Sequence, residues 1–283
     1  MGIGNVSERR NAPPQVGVTS VILALESEER ATRDGVSRRR LWLPLVRRTR
    51  EPFKGLWALP GGPLKANRSL EESAYETLAS TTDLHPTYLE QLYTFGDPSR
   101  SSGGIPMVSI CYWALVEQAE FDVRDSEHNV RWFAQNDLPQ LAFDHARIID
   151  YALWRLRHRI DTPNVVRQLI GEPFTLGQLH SVVEAVRGEQ LDLANFRRKM
   201  LASQMLEDTG DVLREGRRRP AALYRFNSEF ESAALDPTLF TASADEVGGF
   251  GGGYGRGDHE SDGGMSDELS ALSALMPNTP HTR

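Results

Sequence analysis

The chain is nearly devoid of cysteine. Cys111 stands alone among 283 residues, so no disulfide can form within the chain. A single cysteine in an apolar run, Met107–Leu115, reads as a buried strand residue and fits a reducing cytoplasm. Long apolar runs are also missing: none approaches the roughly 20 residues that span a bilayer. The opening residues are polar, with Glu8, Arg9 and Arg10, and no apolar signal core follows them. The expectation is a cytoplasmic protein without a membrane partner. A basic excess is lacking too, since the net charge is −7. That total misleads. Residues 228–283 carry ten Asp/Glu and two Arg, a net of −8, which leaves the remainder with 30 basic and 29 acidic residues, a net of +1. Local charge decides whether a surface meets phosphate.

The length allows about two domains. Residues 1–14 are polar, end in Pro13-Pro14 and read as a flexible arm. Strands are predicted at Gln15–Leu25, Leu41–Arg47, Tyr88–Phe95, Met107–Val116 and Val130–Phe133, from β-branched and apolar runs bounded by turn residues. Residues 28–40 read as a charged loop. A helix is predicted from Phe143 to Ile160, with Ile149, Ala152, Leu153, Leu156 and Ile160 on its inner face. Strands flanked by helices suit an α/β/α sandwich over residues 15–160. Asp161-Thr162-Pro163 breaks the chain. Short helices follow at Val165–Ile170, Leu176–Arg187 and Asp192–Ser203, then a hairpin within Met205–Phe226 around the Arg-rich turn Glu215–Pro220. Three short helices and a hairpin over residues 161–227 outline a winged helix. The last stretch, 228–283, has nine glycines between Gly248 and Gly264 and many acids. That composition buries too little apolar surface to order itself.

Carboxylates are missing where they matter most. Trp57-Ala58-Leu59-Pro60-Gly61-Gly62 leads through a short loop to a helix from about Ser69 to Thr82. Ser69 and Glu72 form a capping box, and Leu70, Ala74 and Leu78 make a buried stripe. This framing resembles the Nudix box of the Nudix pyrophosphatases: Gly, five residues, Glu, seven residues, then Arg-Glu-apolar-x-Glu-Glu-x-Gly-apolar. Counted from Gly62, the first Glu position holds Arg68. The Arg-Glu pair is Glu76-Thr77, the Glu-Glu pair is Ser80-Thr81 and the Gly is Asp83. Only the apolar positions Leu78 and Leu84 are kept. Magnesium needs hard oxygen ligands, chiefly carboxylates, and two threonines cannot supply the lost charge. Glu72 and Glu76 make a weak shifted pair. Glu71, Glu72 and Glu76 read better as a solvated helix face. No metal ligands and no catalytic residues are assigned.

The run Leu191–Met200 carries the second constellation. On a helix, Leu193, Phe196 and Met200 are expected to face the core. Asn195, Arg198 and Lys199 then share the other side, with Arg197 at its edge. Arginine pairs bidentately with guanine and asparagine with adenine in the major groove. Lysine and the wing arginines Arg217, Arg218 and Arg219 suit phosphates. The competing reading is a solvated basic helix beside a basic loop.

Together these words resemble the Nudix-related transcriptional regulators of NAD metabolism, the NrtR family. The resemblance runs over about Gln15–Asn227. It rests on Glu51–Gly62, Leu89–Pro98, Leu141-Ala142-Phe143-Asp144-His145, Asn195–Lys199 and Arg219–Phe226, in that order and spacing. It implies a Nudix-like sensor joined to a winged helix, repression of genes for NAD synthesis or salvage, and release of DNA on binding ADP-ribose or a related nucleotide. It implies DNA contacts from Thr175, Asn195, Arg197, Arg198, Lys199, Arg217, Arg218 and Arg219. It implies effector contacts from Arg48, Phe53, Lys54, Trp57, Gly61, Gly62, Phe143 and His145. No cofactor is required. The expected partners are an inverted-repeat double-stranded DNA operator and a second copy of the chain, since two recognition helices must span successive half-sites. The alternatives are an active ADP-ribose pyrophosphatase with an appended nucleic-acid-binding domain, and an interaction module acting through the acidic tail.

Overall fold

The computed structural model describes residues 13–26, 39–86, 89–100, 106–116, 129–160, 162–214 and 220–228. Most of the expected arm, the charged loop up to residue 38, nearly all of the acidic tail and the wing residues Arg217, Arg218 and Arg219 lie outside the described residues.

The larger sheet contains β1 (Gln15–Leu25), β2 (Leu41–Arg47), β3 (Trp57–Ala58), β4 (Gly61–Pro63), β5 (Glu90–Phe95), β6 (Met107–Val116) and β7 (Val130–Ala134). Its order is β3-β2-β1-β6-β5, with β4 added to β1 and β7 to β2. β1 and β6 run parallel, Gln15–Ala24 against Met107–Val116. The remaining pairs are antiparallel.

β1 is buried on both faces from Gly17 onward, which is why its sequence lacks polar alternation. Val18, Ile22 and Ala24 form one core with Ala74 and Leu78 of helix α1 (Leu70–Thr82) and with Tyr112, Ala114 and Val116 of β6. The period of two turns Val21, Leu23 and Leu25 to the opposite face. There they meet helix α2 (His145–Arg159), whose Ile148, Ile149, Ala152 and Leu156 are fully buried. The two helices and the sheet between them make the expected sandwich.

The capping box of α1 forms as read. The Glu72 N–H donates to Ser69 Oγ at 3.1 Å and the Ser69 N–H to Glu72 Oε2 at 2.8 Å. At the other end Asp83 takes the left-handed cap, φ 57°, and its N–H donates to the Ala79 carbonyl. Aspartate tolerates that conformation better than most residues, so the helix stop survives without the glycine of the motif.

The second layer of the chain holds α3 (Pro163–Ile170), β8 (Phe174–Thr175), α4 (Leu176–Arg187), α5 (Leu193–Ala202), β9 (Leu206–Leu213) and β10 (Ala221–Phe226). The small sheet runs β8-β10-β9, antiparallel throughout. Leu176, Leu179, Val183 and Val186 of α4 are buried, and Phe174 and Phe226 pack ring to ring at 5.1 Å. Gly188 ends α4 in the left-handed conformation, φ 73°. This is a winged helix.

Several boundaries move for identifiable reasons. The helix expected from Phe143 starts at His145, because Phe143 has φ 56° and cannot be helical. α3 begins at Pro163 rather than Val165, since proline is preorganised for the first helical turn. β3, β4 and β8 were not expected, being too short to show a periodicity. Among the described residues no helix is long and apolar enough to cross a membrane.

Leu78→Ala removes a fully buried side chain and is expected to cost about 2–5 kcal/mol. Ser69→Ala removes only the cap and should cost about 1 kcal/mol. Urea unfolding midpoints of the two variants check the difference.

Candidate functional site

The Nudix-like motif folds around two glycines. β4 pairs with β1 at Gly61–Thr19, Gly62–Val18 and Pro63–Gly17. A Cβ on Gly61 would lie 2.8 Å from the Val18 carbonyl oxygen, and one on Gly62 would lie 3.3 Å from the Thr77 methyl group. Gly61 is therefore required by the approach of backbone to backbone, whatever the motif binds, while Gly62 leaves a side chain only tight room against Thr77.

On α1 the former ligand positions have turned inward or inert. Thr77 is buried, and Thr81 donates its hydroxyl to the Thr77 carbonyl at 2.7 Å. Arg68, at the first Glu position, pairs with Glu76 at 3.5 Å, and Lys65 pairs with the same carboxylate. These bonds hold Glu76 below the ordinary carboxylate range, chiefly through the Lys65 hydrogen bond. Glu71 and Glu72 are exposed, as the solvated-face reading expected. Among the described residues no group of three His, Cys, Asp or Glu side chains could hold a metal ion. The residues present do not fit the magnesium cluster of a Nudix hydrolase.

Beside this face lies a cavity of about 230 Å³, lined by Val46, Arg47, Arg48, Thr49, Arg50, Ala58, Leu59, Gly61 and Thr81. The loop after β2 closes on itself: Arg48 N–H donates to the Leu56 carbonyl at 2.9 Å and Gly55 N–H to the Arg48 carbonyl at 2.8 Å. Arg48 Nε holds the Pro52 carbonyl at 2.8 Å, and its guanidinium sits 4.6 Å above the Phe143 ring. Partial burial lowers the Arg48 pKa, against the raising influence of Glu51. Phe53 meets Phe143 edge to face at 4.9 Å. Both aromatic residues are substantially exposed, and both have positive φ, 64° and 56°. Left-handed backbone at a bulky residue costs about 1–3 kcal/mol and concentrates at ligand clamps.

His145 anchors this wall. Its Nδ1 accepts the Leu59 N–H at 2.9 Å, which joins the start of α2 to the motif. Its ring lies 5.3 Å from Phe143. Burial first, then Arg100 and Arg48, lower its pKa to about 3, so the imidazole is neutral and acts as an acceptor here. Arg100 is nearby but engaged: it donates to Asp144 Oδ2 at 2.8 Å and to Ser109 Oγ at 3.0 Å. Cys111 lies buried close to this pair, with its thiol pushed up to about 12, mainly by desolvation.

The expected effector residues therefore divide. Arg48, Phe53, Phe143 and His145 form one cluster, and Gly61 lines the adjoining cavity. Gly62 packs on Thr77. Trp57 turns to Phe133, edge to face at 4.9 Å, and its carbonyl accepts the Ala142 N–H. Lys54 is exposed at the tip of the loop. Sequence reasoning missed Arg47 and Arg50 on the cavity wall, although Arg47-Arg48-Thr49-Arg50 is a visible basic run. It also missed Arg100, whose role depends on a partner 44 residues away.

In the winged helix, Asp192 caps α5 by accepting the Asn195 N–H at 2.7 Å. The preceding turn is pinned: Leu191 N–H donates to Glu184 Oε1 at 2.8 Å, and the Leu191 carbonyl meets His180 Nε2 at 2.8 Å. Phe196 and Met200 are buried as expected. Leu193 is not: it is 38% exposed, because the first turn of α5 precedes the contact with α4 that Phe196 makes through His180 at 5.2 Å. Arg197 and Arg198 are exposed, Asn195 and Lys199 half-buried. Arg198 Nη2 donates to Asn195 Oδ1 at 2.8 Å, so the pair is already aligned. Thr175 is buried at the start of α4, where its hydroxyl accepts the Gln178 N–H. Arg225, on β10, is paired with Glu207 at 2.9 Å.

The neutral state of His145 has a pH consequence. Below the ordinary value of 6.5 the unfolded chain takes a proton that the folded chain refuses until about pH 3. Stability is therefore complete above about 6.5 and declines as the pH falls. His145→Asn keeps an acceptor but cannot titrate. Between about pH 7 and pH 5 the unsubstituted protein should lose about 2 kcal/mol relative to the variant, read from urea midpoints at the two pH values.

Comparisons with known proteins agree with this architecture. The chain matches the NUDIX domain over residues 33–152 and the NrtR DNA-binding winged helix domain over residues 166–226. It is 32% identical to the ADPR responsive transcriptional repressor NtrR of Acinetobacter baylyi, across 68% of this chain and 78% of that protein. It is 33% identical to an ADP-ribose pyrophosphatase of Methanocaldococcus jannaschii, but across only 43% of this chain and 72% of the enzyme. The crystal structure of Shewanella oneidensis NrtR complexed with a 27mer DNA aligns with a TM-score of 0.63 at 32% identity, covering 78% of this chain and 97% of that one. With a NUDIX domain and an NrtR winged helix in one chain, and a repressor relative matched across 78% of its length, the protein belongs to the NrtR family.

Proposed function

We propose that this protein is a DNA-binding transcriptional repressor of genes for NAD biosynthesis or salvage, whose Nudix-like half senses ADP-ribose or a related nucleotide without cleaving it. The observation that carries the reading is α5, which buries Phe196 and Met200 and turns Arg197 and Arg198 to solvent behind a pinned turn. The names of the Acinetobacter relative, an ADPR responsive repressor, and of the Shewanella relative, crystallised with DNA, support it.

In this reading Asn195, Arg197, Arg198 and Lys199 enter the major groove. Arg217, Arg218 and Arg219 form the wing on phosphates, and Thr175, at the start of α4, adds a further DNA contact. Arg48, Phe53, Phe143 and His145 form the effector wall, with Gly61 and Gly62 supplying backbone and Lys54 and Trp57 flanking it. An arginine stacked on an aromatic ring suits an anionic nucleotide. The sensor spans 15–160, the winged helix 161–227, and 228–283 is a tail. The protein works as a homodimer in the cytoplasm on an inverted-repeat operator.

Ligand acts by binding one domain arrangement better than another. α2 offers the physical link. It starts at His145, on the effector wall, and Arg157 near its other end donates to the Val186 carbonyl of α4 at 3.3 Å. Fifteen helical residues reach about 22 Å.

The pyrophosphatase reading has a relative in its favour, but its metal site would need carboxylates where Thr77 and Thr81 stand. Purified protein is expected to release no AMP from ADP-ribose in magnesium. Arg198→Ala combined with Lys199→Ala should weaken operator binding by about 2 kcal/mol or more and flatten its salt dependence, measured by gel shift at several salt concentrations. Unchanged operator affinity in that double variant would remove the repressor reading.

A further inference from the structure

The cavity beside α1 is lined by three arginines and by no carboxylate. We propose that it takes a diphosphate-bearing nucleotide directly on Arg47, Arg48 and Arg50, with no divalent cation between protein and phosphate. This rests on the sensor reading above and specifies its chemistry.

The charge around the motif is positive. Residues 47–82 contain six Lys/Arg and four Asp/Glu. Of those acids, Glu76 is occupied by Lys65 and Arg68, and Glu72 is spent on the cap of α1. The arginines are differently placed. Arg47 Nε donates to the Gly55 carbonyl at 3.3 Å and Arg48 Nε to the Pro52 carbonyl at 2.8 Å. Neither these two nor Arg50 forms an ion pair with a carboxylate among the described residues. All three line the one cavity with Thr49, Thr81 and Gly61. A magnesium ion entering there meets guanidinium groups and no carboxylate ligand, whereas a diphosphate meets bidentate donors.

Size and position narrow the ligand. About 230 Å³ is below the 300–1,000 Å³ typical of a pocket for a whole drug-sized molecule, and is better matched to the diphosphate than to a complete dinucleotide. Arg48 lines the cavity and also covers the Phe143 ring at 4.6 Å. A diphosphate in the cavity therefore places an attached nucleoside toward the exposed Phe53–Phe143 pair, where a base can stack.

The test is calorimetric titration of the full chain with ADP-ribose, once in EDTA and once in excess magnesium, with adenosine as the ligand lacking phosphate. The expected Kd for ADP-ribose in EDTA lies within about twofold of that in magnesium, or is tighter. Arg47→Gln and Arg50→Gln, both at solvent-accessible positions, should each weaken ADP-ribose by about tenfold, about 1.4 kcal/mol, while adenosine binding stays unchanged. Binding that requires magnesium overturns the inference and leaves the repressor reading standing. Loss of adenosine binding in the arginine variants overturns it as well, because the arginines then act on folding rather than on phosphate. Absence of ADP-ribose binding in both conditions, with operator binding intact, overturns this inference and the sensing half of the proposed function together. Metal-free binding that leaves operator affinity unaltered supports the inference and removes the regulatory role of the ligand.

Discussion

β1 is hydrogen-bonded along both edges, and the architecture of the sensor half follows from that. One edge pairs with β6 in parallel for ten residues; the other is shared by β4 near Gly17–Thr19 and by β2 near Ala24-Leu25. The strand's two faces are both buried from Gly17 onward, one against α1 and the other against α2. It also fixes the motif. Gly61 approaches the Val18 carbonyl too closely for any side chain, so the turn into β4 is held by backbone pairing and not by anything it binds. That independence lets the loop and helix keep their shape after the ligand carboxylates have gone.

The replacements on α1 are mutually consistent. Thr77 lies buried with its methyl group against Gly62. A glutamate there would put a carboxylate into a site without a cation, and an unpaired buried charge is costly. Positive charge at this cavity comes from Arg47, Arg48 and Arg50. His145 belongs to the same economy of charge: held neutral among arginines, it can accept the Leu59 N–H and keep α2 seated on the motif.

The DNA-facing half is built on a different principle. α5 has only two buried side chains, Phe196 and Met200, so its orientation depends on how its entry is held. Glu184 and His180 grip Leu191 from α4, and Asp192 caps the first turn. This leaves the guanidinium of Arg198 aligned by Asn195, and for the DNA contact we propose, such alignment lowers the ordering cost of recognition.

Most of the fold was legible in the residues. Capping boxes at Ser69 and Thr175, the apolar stripes of α1 and α4, the left-handed stop at Gly188 and the long strands β1, β2 and β6 are local properties, set within a few residues of sequence by hydrogen bonding and periodicity. So was the absence of carboxylates at positions 77 and 81. The short strands β3, β4 and β8 were not legible, because two or three residues carry no period and take their conformation from a neighbouring strand. Nor was the exposure of Leu193, which depends on where α4 ends, or the late start of α2, which depends on Phe143 adopting positive φ to reach Arg48 and Phe53. The sequence by itself determined which of the longer elements form and that no carboxylate stands at positions 77 and 81. Only the tertiary structure decided which side chains meet, as Leu59 meets His145 across 86 residues and Arg100 meets Asp144 across 44, because a contact between distant residues is a property of the packed chain and is written in no local stretch of it.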